Sequence, residues 1–325
     1  MDTKPVVIAA PAVTLDLAAG TAAAAGSHAT VSTGDGRTQV GPRGSLSPSR
    51  AADFMSCPLK YRFRVVDRLP EPPSSAAVRG TVVHRVLEDL FALPAPERTL
   101  AEAVSLVPGA WDAVREQEPE VLAMFADEQE LAAWLKSAEP LLATYFTLED
   151  PTRFDSAQRE LRVETTLESG LVLRGFIDRV DANPAGETRV IDYKTGRAPG
   201  PGFESSALFQ MRFYALVLWR STGVLPRLLQ LLYLGSGEVV SYQPDEADLR
   251  ATERKVSALW AAITKAHDTG DWRPSPSKLC DWCNHQAICP AFGGTPPPLP
   301  VSALPEVPAP AGSPPSLAAD PEFMA

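Results

Sequence analysis

The run Ile191-Asp192-Tyr193-Lys194-Thr195-Gly196 puts an acid, an aromatic and a base at the end of a β-prone segment, just before a glycine turn. Side chains alternate along a strand, so Asp192 and Lys194 share one face and Ile191 and Tyr193 the other. Two opposite charges on one strand face can be an idle ion pair on a sheet edge, or working groups. A second acid, Asp178, lies upstream in Gly175-Phe176-Ile177-Asp178-Arg179-Val180-Asp181, itself a largely apolar run. Two carboxylates and a lysine converging at strand ends suggest a divalent-cation site. Asp178 and Asp192 supply hard oxygen ligands, the main chain at Tyr193 a third, and His84 a nitrogen. Mg²⁺ accepts one or two carboxylates with several waters, whereas a histidine ligand tilts the site toward Mn²⁺. Lys194 would orient a nucleophile or stabilise developing negative charge, the combination that phosphodiester hydrolysis needs.

The four cysteines are a second candidate constellation: Cys57, then Cys280, Cys283 and Cys289 in a C-x2-C-x5-C spacing. In a chain expected to be cytoplasmic, such spacing reads as metal binding before disulfides. Zinc accepts four thiolates but more often uses two close pairs, and here one ligand stands far from a compact trio. Iron-sulfur clusters also require thiolates. His285 is not needed as a ligand beside four cysteines, and Trp282 and Ile288 are expected to pack around the group.

The elements that must position these residues follow from periodicity. Ser47 and Pro48 suit the N-cap and first position of a helix carrying Ala51, Phe54 and Met55 inward, and Pro58 ends it at Cys57. A short basic helix with Lys60, Arg62 and Arg64 follows. The spacing of Val82, Val83, Val86, Leu87, Leu90 and Phe91 predicts a helix from about 78 to 93 that carries His84. Alone, a histidine in such a pattern is ordinarily a core residue. Residues 99–148 read as a helical insertion. From Leu161 the pattern alternates, and the turns at Glu168-Ser169-Gly170 and Asn183-Pro184-Ala185-Gly186 predict a three-strand meander whose last two strands hold the acids. A helix over 206–220 then places Gln210 and Tyr214 on one face, four residues apart. Strands near 228–234 and 238–242 and a helix over 245–267 complete an α/β core.

With 325 residues and 45% hydrophobic content the chain can form a substantial core. Residues 1–45 form an Ala/Gly/Thr-rich leader and 291–325 a Pro/Ala-rich tail, both expected to be disordered, around a folded domain at 46–290. No run approaches about 18 consecutive apolar residues, so no membrane span is expected. The net charge of -10 argues against a surface coated for nucleic acid, yet Lys60, Arg62 and Arg64 could form a local basic face. No G-x-x-x-x-G-K-[ST] loop occurs, so the chain has no phosphate loop with which to translocate on DNA by its own ATP hydrolysis.

Gly80 and His84, the Gly175–Asp181 run, Asp192-Tyr193-Lys194 and Gln210-x-x-x-Tyr214, in that order, resemble the RecB-type exonuclease branch of the PD-(D/E)xK nuclease superfamily. The resemblance spans roughly residues 46–290. It implies a restriction-endonuclease-like fold, a central mixed sheet flanked by helices, with metal held by His84, Asp178 and Asp192, and Lys194 assisting catalysis. Gln210 and Tyr214 would contact DNA or steady the lysine. Relatives often carry an acid near Glu164, but a solvent-facing strand position is the better reading of that residue. The one-plus-three cysteine arrangement resembles the cluster-bearing nucleases of the Cas4 and AddB type, which implies a [4Fe-4S] cluster in segment 273–290 stapling the domain's two ends. The implied activity is a Mg²⁺- or Mn²⁺-dependent deoxyribonuclease acting as an exonuclease on single-stranded ends in repair or recombination, with a separate helicase as a possible partner. The alternative is a non-catalytic DNA-binding or assembly subunit that retains the fold.

Overall fold

The computed structural model describes residues 44–200 and 205–300, together with the backbone of Val7–Ile8. Strand β1 (Val7–Ile8) is two residues long and precedes β2 (Ser45–Leu46). Helix α1 (Pro48–Ser56) starts where the Ser47 hydroxyl accepts the Arg50 N–H and Pro48 supplies a pre-set φ. It ends at Cys57, held extended at φ -159 and ψ 110 as a residue before proline prefers. Helix α2 (Pro58–Tyr61) runs on into a π-helical turn, Arg62–Val66. Helix α3 (Ser75–Leu90) follows, then α4 (Leu100–Ser105), α5 (Val107–Gln117), α6 (Glu128–Lys136) and α7 (Glu139–Leu148). The remaining elements are β3 (Gln158–Thr166), β4 (Val172–Ala182), β5 (Thr188–Lys194), α8 (Ser205–Thr222), β6 (Leu228–Tyr233), β7 (Glu238–Tyr242) and α9 (Glu246–Thr269).

The sheet order is β1-β7-β6-β5-β4-β2, with β3 also on β4. The β3–β4–β5 meander is antiparallel, and β5 runs parallel to β6 with α8 as the crossover. Helices cover both faces, so every residue of β6 is buried and its sequence, Leu-Leu-Gln-Leu-Leu-Tyr, is apolar almost throughout. One face packs residues of α1, α8 and α9, including Phe54, Phe213, Leu216 and Val256. The other packs α3 and the α4–α7 helices through Val83, Leu87, Trp111, Leu142 and Tyr145 against Ile191, Tyr193 and Leu232.

A buried ionic cluster pins these helices to the sheet. Arg179 is 1% exposed and donates to Asp181, to Glu149 just beyond α7, and to the hydroxyls of Tyr145 and Tyr193. Arg189 shares Asp181 and Glu149. Two guanidinium groups facing two carboxylates leave no net buried charge, the condition under which such a cluster is tolerable.

Strand β4 changes phase in its middle. Leu173 and Ile177 face the α8 side, yet so does Val180, while Arg179 turns to the α7 side. The switch falls at Asp178, opposite Glu160 of β3, whose φ of 42 is left-handed. The β3–β4 register lists Arg159↔Arg179 and Leu161↔Ile177 but skips the pair between them.

Two terminal boundaries differ from the sequence expectation. Ser45 and Leu46 pair with Val172 and Leu173, and Leu46 is fully buried, so the folded part includes the end of the expected leader. At the other end the chain stays packed past Cys289: the Pro297 carbonyl accepts from Arg62, and Leu299 lies against the main core. The rest of the leader, apart from Val7–Ile8 and residue 44, and the tail from 301 lie outside the described residues.

Candidate active site

The site sits in a gap that the sheet register creates. β4 pairs with β2 only at Val172 and Leu173, and with β5 only from Arg179 to Ala182. Residues 174–178 therefore have no strand neighbour on that side. The Asp178 carboxylate fills the opening, its Oδ2 accepting the Tyr193 N–H at 2.6 Å in place of a ladder bond. Asp192, one residue before, is buried. Its Oδ1 accepts from Gln210 Nε2 at 2.8 Å, and its Oδ2 lies 2.5 Å from Lys194 Nζ. That ion-pair contact does not have hydrogen-bond geometry, so Asp192 Oδ2 is a buried acceptor without a hydrogen-bond partner.

On the other side of Asp178, His84 Nδ1 lies 3.4 Å from Asp178 Oδ1. One ligand atom each from His84, Glu160 and Asp178 fall within 4.8 Å of one another. Imidazole nitrogen plus carboxylate oxygens, with an orphaned carboxylate oxygen on Asp192, fit a divalent cation of the Mg²⁺ or Mn²⁺ type. Glu160 is absent from the sequence-expected set, and Glu164 is not part of the cluster: it pairs with the exposed Arg162. The signal for Glu160 was available, because equal steps outward from Ser169 at the tip of the β3–β4 hairpin reach Glu160 and Asp178. The Tyr193 side chain points away from the acids, its hydroxyl accepting from Arg179, so only its main chain could serve a ligand.

Electrostatics reflect carboxylates packed without a counter-ion. Burial and the Asp178 charge raise the Glu160 pKa to about 7. The same two causes raise Asp192, with Lys194 opposing them. Burial pulls His84 down, but the hydrogen bond and charge of Asp178 outweigh it and the net shift is upward. The two carboxylate shifts mark groups that would gain from a cation, whereas His84 would have to give up its proton to bind one.

Lys194 and Glu160 border two different cavities. One of about 680 Å³ is lined by Arg50, Arg162, Arg174, Phe176, Lys194 and Gln210, with Tyr214 in its wall. Tyr214 can lie there because residue 175 is glycine; a Cβ at that position would meet the tyrosine ring at 2.8 Å. The other, of about 490 Å³, is bounded by α3 and α5 and contains His84, Glu88 and Glu160.

The basic segment expected to hold DNA is differently disposed. Arg62 is 7% exposed and paired with Asp67, and its guanidinium also reaches the Pro297 carbonyl. Arg64 bridges Asp53 and Glu71, and Lys60 also pairs with Asp53. Arg62 is thus buried among internal partners, whereas Arg64 is exposed and Lys60 partly so, each in an ion pair.

All four cysteines line a single cavity of about 200 Å³. Cys57 Sγ accepts the Ser275 N–H at 3.4 Å and Cys280 Sγ the Ser277 N–H at 3.3 Å. No three of the sulfurs lie within 4.8 Å of one another among the described residues. Trp282 lines the cysteine cavity, as expected, although it is 77% exposed, whereas Ile288 is partly buried against the main core and does not line that cavity. His285 is buried and lines the same cavity, with Nε2 2.8 Å from Glu71 Oε1 but without hydrogen-bond geometry.

Comparison with known proteins agrees with this geometry. The profile of the PD-(D/E)XK nuclease superfamily matches residues 45–290. A solved protein from Eubacterium rectale, provisionally named an exonuclease, superposes with a TM-score of 0.50 at 18% identity over 74% of this chain and 87% of its own. The Gene 69 proteins of Mycobacterium phages D29 and L5 are 25% and 24% identical, each over 76% of this chain and 96% of the phage protein.

Proposed function

The chain belongs to the PD-(D/E)XK nuclease superfamily, and from that premise we propose that it is a divalent-metal-dependent DNA exonuclease acting on single-stranded ends in repair or recombination. One observation carries the reading. Asp178, Asp192, Lys194 and Gln210 meet in the strand gap, with His84 and Glu160 completing a ligand set around Asp178. His84, Glu160, Asp178 and Asp192 would hold the cation. When bound, it would supply positive charge to a phosphodiester oxygen and a lowered pKa to attacking water.

The chain's own groups do the positioning. The Tyr193 N–H fixes Asp178, and the Gln210 amide fixes Asp192 so that Oδ2 faces Lys194. Lys194, beside Asp192 and in the wall of the larger cavity, is placed to hold an ammonium against the charge that develops on the phosphate. Arg50, Arg162 and Arg174 would follow the DNA backbone there; Lys60 remains a peripheral candidate. A non-catalytic subunit role is disfavoured, since such a protein has no need of a complete acid and lysine set.

We assign the cysteine cavity to a [4Fe-4S] cluster held by Cys57, Cys280, Cys283 and Cys289. Its support is the four-thiol lining and the backbone N–H groups directed at two sulfurs. A helicase partner is compatible with the missing phosphate loop.

The test is incubation of anaerobically purified protein with end-labelled single-stranded and duplex DNA and Mg²⁺ or Mn²⁺, beside Asp192→Ala and Lys194→Ala. The expected outcome is end-directed degradation that falls at least roughly 100-fold in both variants. Equal degradation by all three proteins would overturn the assignment.

A further inference from the structure

Outward from the irregular step at Glu160 and Asp178 the β3–β4 ribbon resumes regular register. Beyond Glu160 and Asp178, the next outward-facing pair is Arg162 opposite Phe176, and the one after it Glu164 opposite Arg174. Directly opposed residues on one face are immediate neighbours, and successive same-face pairs are about 7 Å apart. Phe176 is 58% exposed although it lies in mid-strand, one of the few large apolar side chains left open. It lines the 680 Å³ cavity together with Arg162 and Arg174, and Lys194 lines the same cavity. Arg162 is held only by an exposed ion pair with Glu164, a contact worth little in water and readily exchanged for a phosphate.

We infer that Phe176 and Arg162 form a one-nucleotide platform: the ring stacks a base and the guanidinium binds the adjoining phosphate, one residue pair away from the acids. The inference rests on the nuclease reading of the site and adds to it the residues that would select the strand form. Bases within a duplex have both faces covered by their neighbours, so the platform favours single strands and frayed ends over paired ones. Arg50 and Arg174 line the same cavity and supply further positive charge there. The interior ladder face is unaffected by the Phe176 side chain, so its truncation leaves the core intact.

The test uses the full-length protein without added divalent cation, so that binding is read apart from cleavage. Single-stranded DNA carrying 2-aminopurine at successive positions near one end is titrated, and anisotropy and fluorescence quenching are both recorded. Wild type should quench one position strongly. Phe176→Ala should abolish that quench and weaken single-strand binding by roughly 5- to 100-fold, the range of one base–aromatic stack, while leaving blunt-duplex binding unchanged. Phe176→Trp should restore both signals, which a merely structural role would not. Arg162→Ala should lower the salt dependence of binding by about one phosphate contact. Unchanged quench or affinity in Phe176→Ala overturns the platform, as does a loss that Phe176→Trp fails to restore or an equal loss for duplex. Hydrolysis assayed separately with Mn²⁺ distinguishes the two readings: no cleavage by wild type removes the nuclease assignment, whereas cleavage with unaltered Phe176→Ala binding removes only the platform.

Discussion

Glu160 shows how much of a site can depend on one backbone angle. Its left-handed φ and its place opposite Asp178 bring a third ligand atom to His84 and Asp178. Sequence spacing directed attention to Glu164, because on a strand polar on one face every acid looks alike until register is fixed. A pH effect follows. The Glu160 pKa rises to about 7 from an ordinary 4.5, so the folded state binds that proton more tightly than the unfolded chain. Its contribution to stability is complete below about pH 4.5 and disappears as pH climbs through about 7. Asp192 and His84, also shifted upward, act in the same direction. The metal-free protein should therefore lose melting temperature across that window, and Glu160→Gln should flatten the decline. Mn²⁺ should restore stability at pH 8 far more than at pH 5, and calorimetric Mn²⁺ affinity should fall at least roughly 10-fold in Glu160→Gln. A flat metal-free melting profile would contradict this account.

Among the elements, the strands and long helices were legible because their periodicity is strong. The helix expected over 206–220 is α8, Ser205–Thr222, and it brings Gln210 to Asp192 across an 18-residue separation. The start of β3 was read late, at Leu161 instead of Gln158, because Gln158, Arg159 and Glu160 offer no apolar alternation. The short basic helix was legible as helix but not as an internally paired one, since Glu71 arrives from beyond a proline-rich turn. How strand ends are kept in place yields another prediction. Gly235, just after β6, donates to the Gly196 carbonyl, and a Cβ there would meet Gly196 O at 2.6 Å and Thr195 O at 2.8 Å. Those atoms are backbone and cannot rotate aside. Gly235→Ala should cost about 1–3 kcal/mol in urea unfolding and, by displacing the end of β5, reduce hydrolysis as well. Wild-type stability and activity in that variant would show that the strand end does not depend on this contact.

For the whole molecule, the first and last folded segments close on each other. Trp272 stacks on Tyr61 and meets the Phe54 ring edge-on, Ser275 binds Cys57, and Pro297 binds Arg62. The cysteine spacing made one such closure readable; the tryptophan and proline contacts carry no local signal, being fixed only by the folded chain. Cys57→Ala, one end of the proposed cluster, should abolish visible absorbance near about 400 nm and lower the melting temperature by about 5 °C or more, read by absorbance and circular dichroism. Persistence of both would refute the staple. The same closure sets a timetable. Cys57 and Ser275 are 218 positions apart, so at about 5–20 residues per second the ribosome delivers the second partner roughly 10–45 s after the first. Throughout that interval the newborn α1–α2 segment has its aromatic surface uncovered and its thiol unengaged. Closure around Cys57 thus waits for translation to reach Ser275, and until then the α1–α2 segment must be kept from wrong partners.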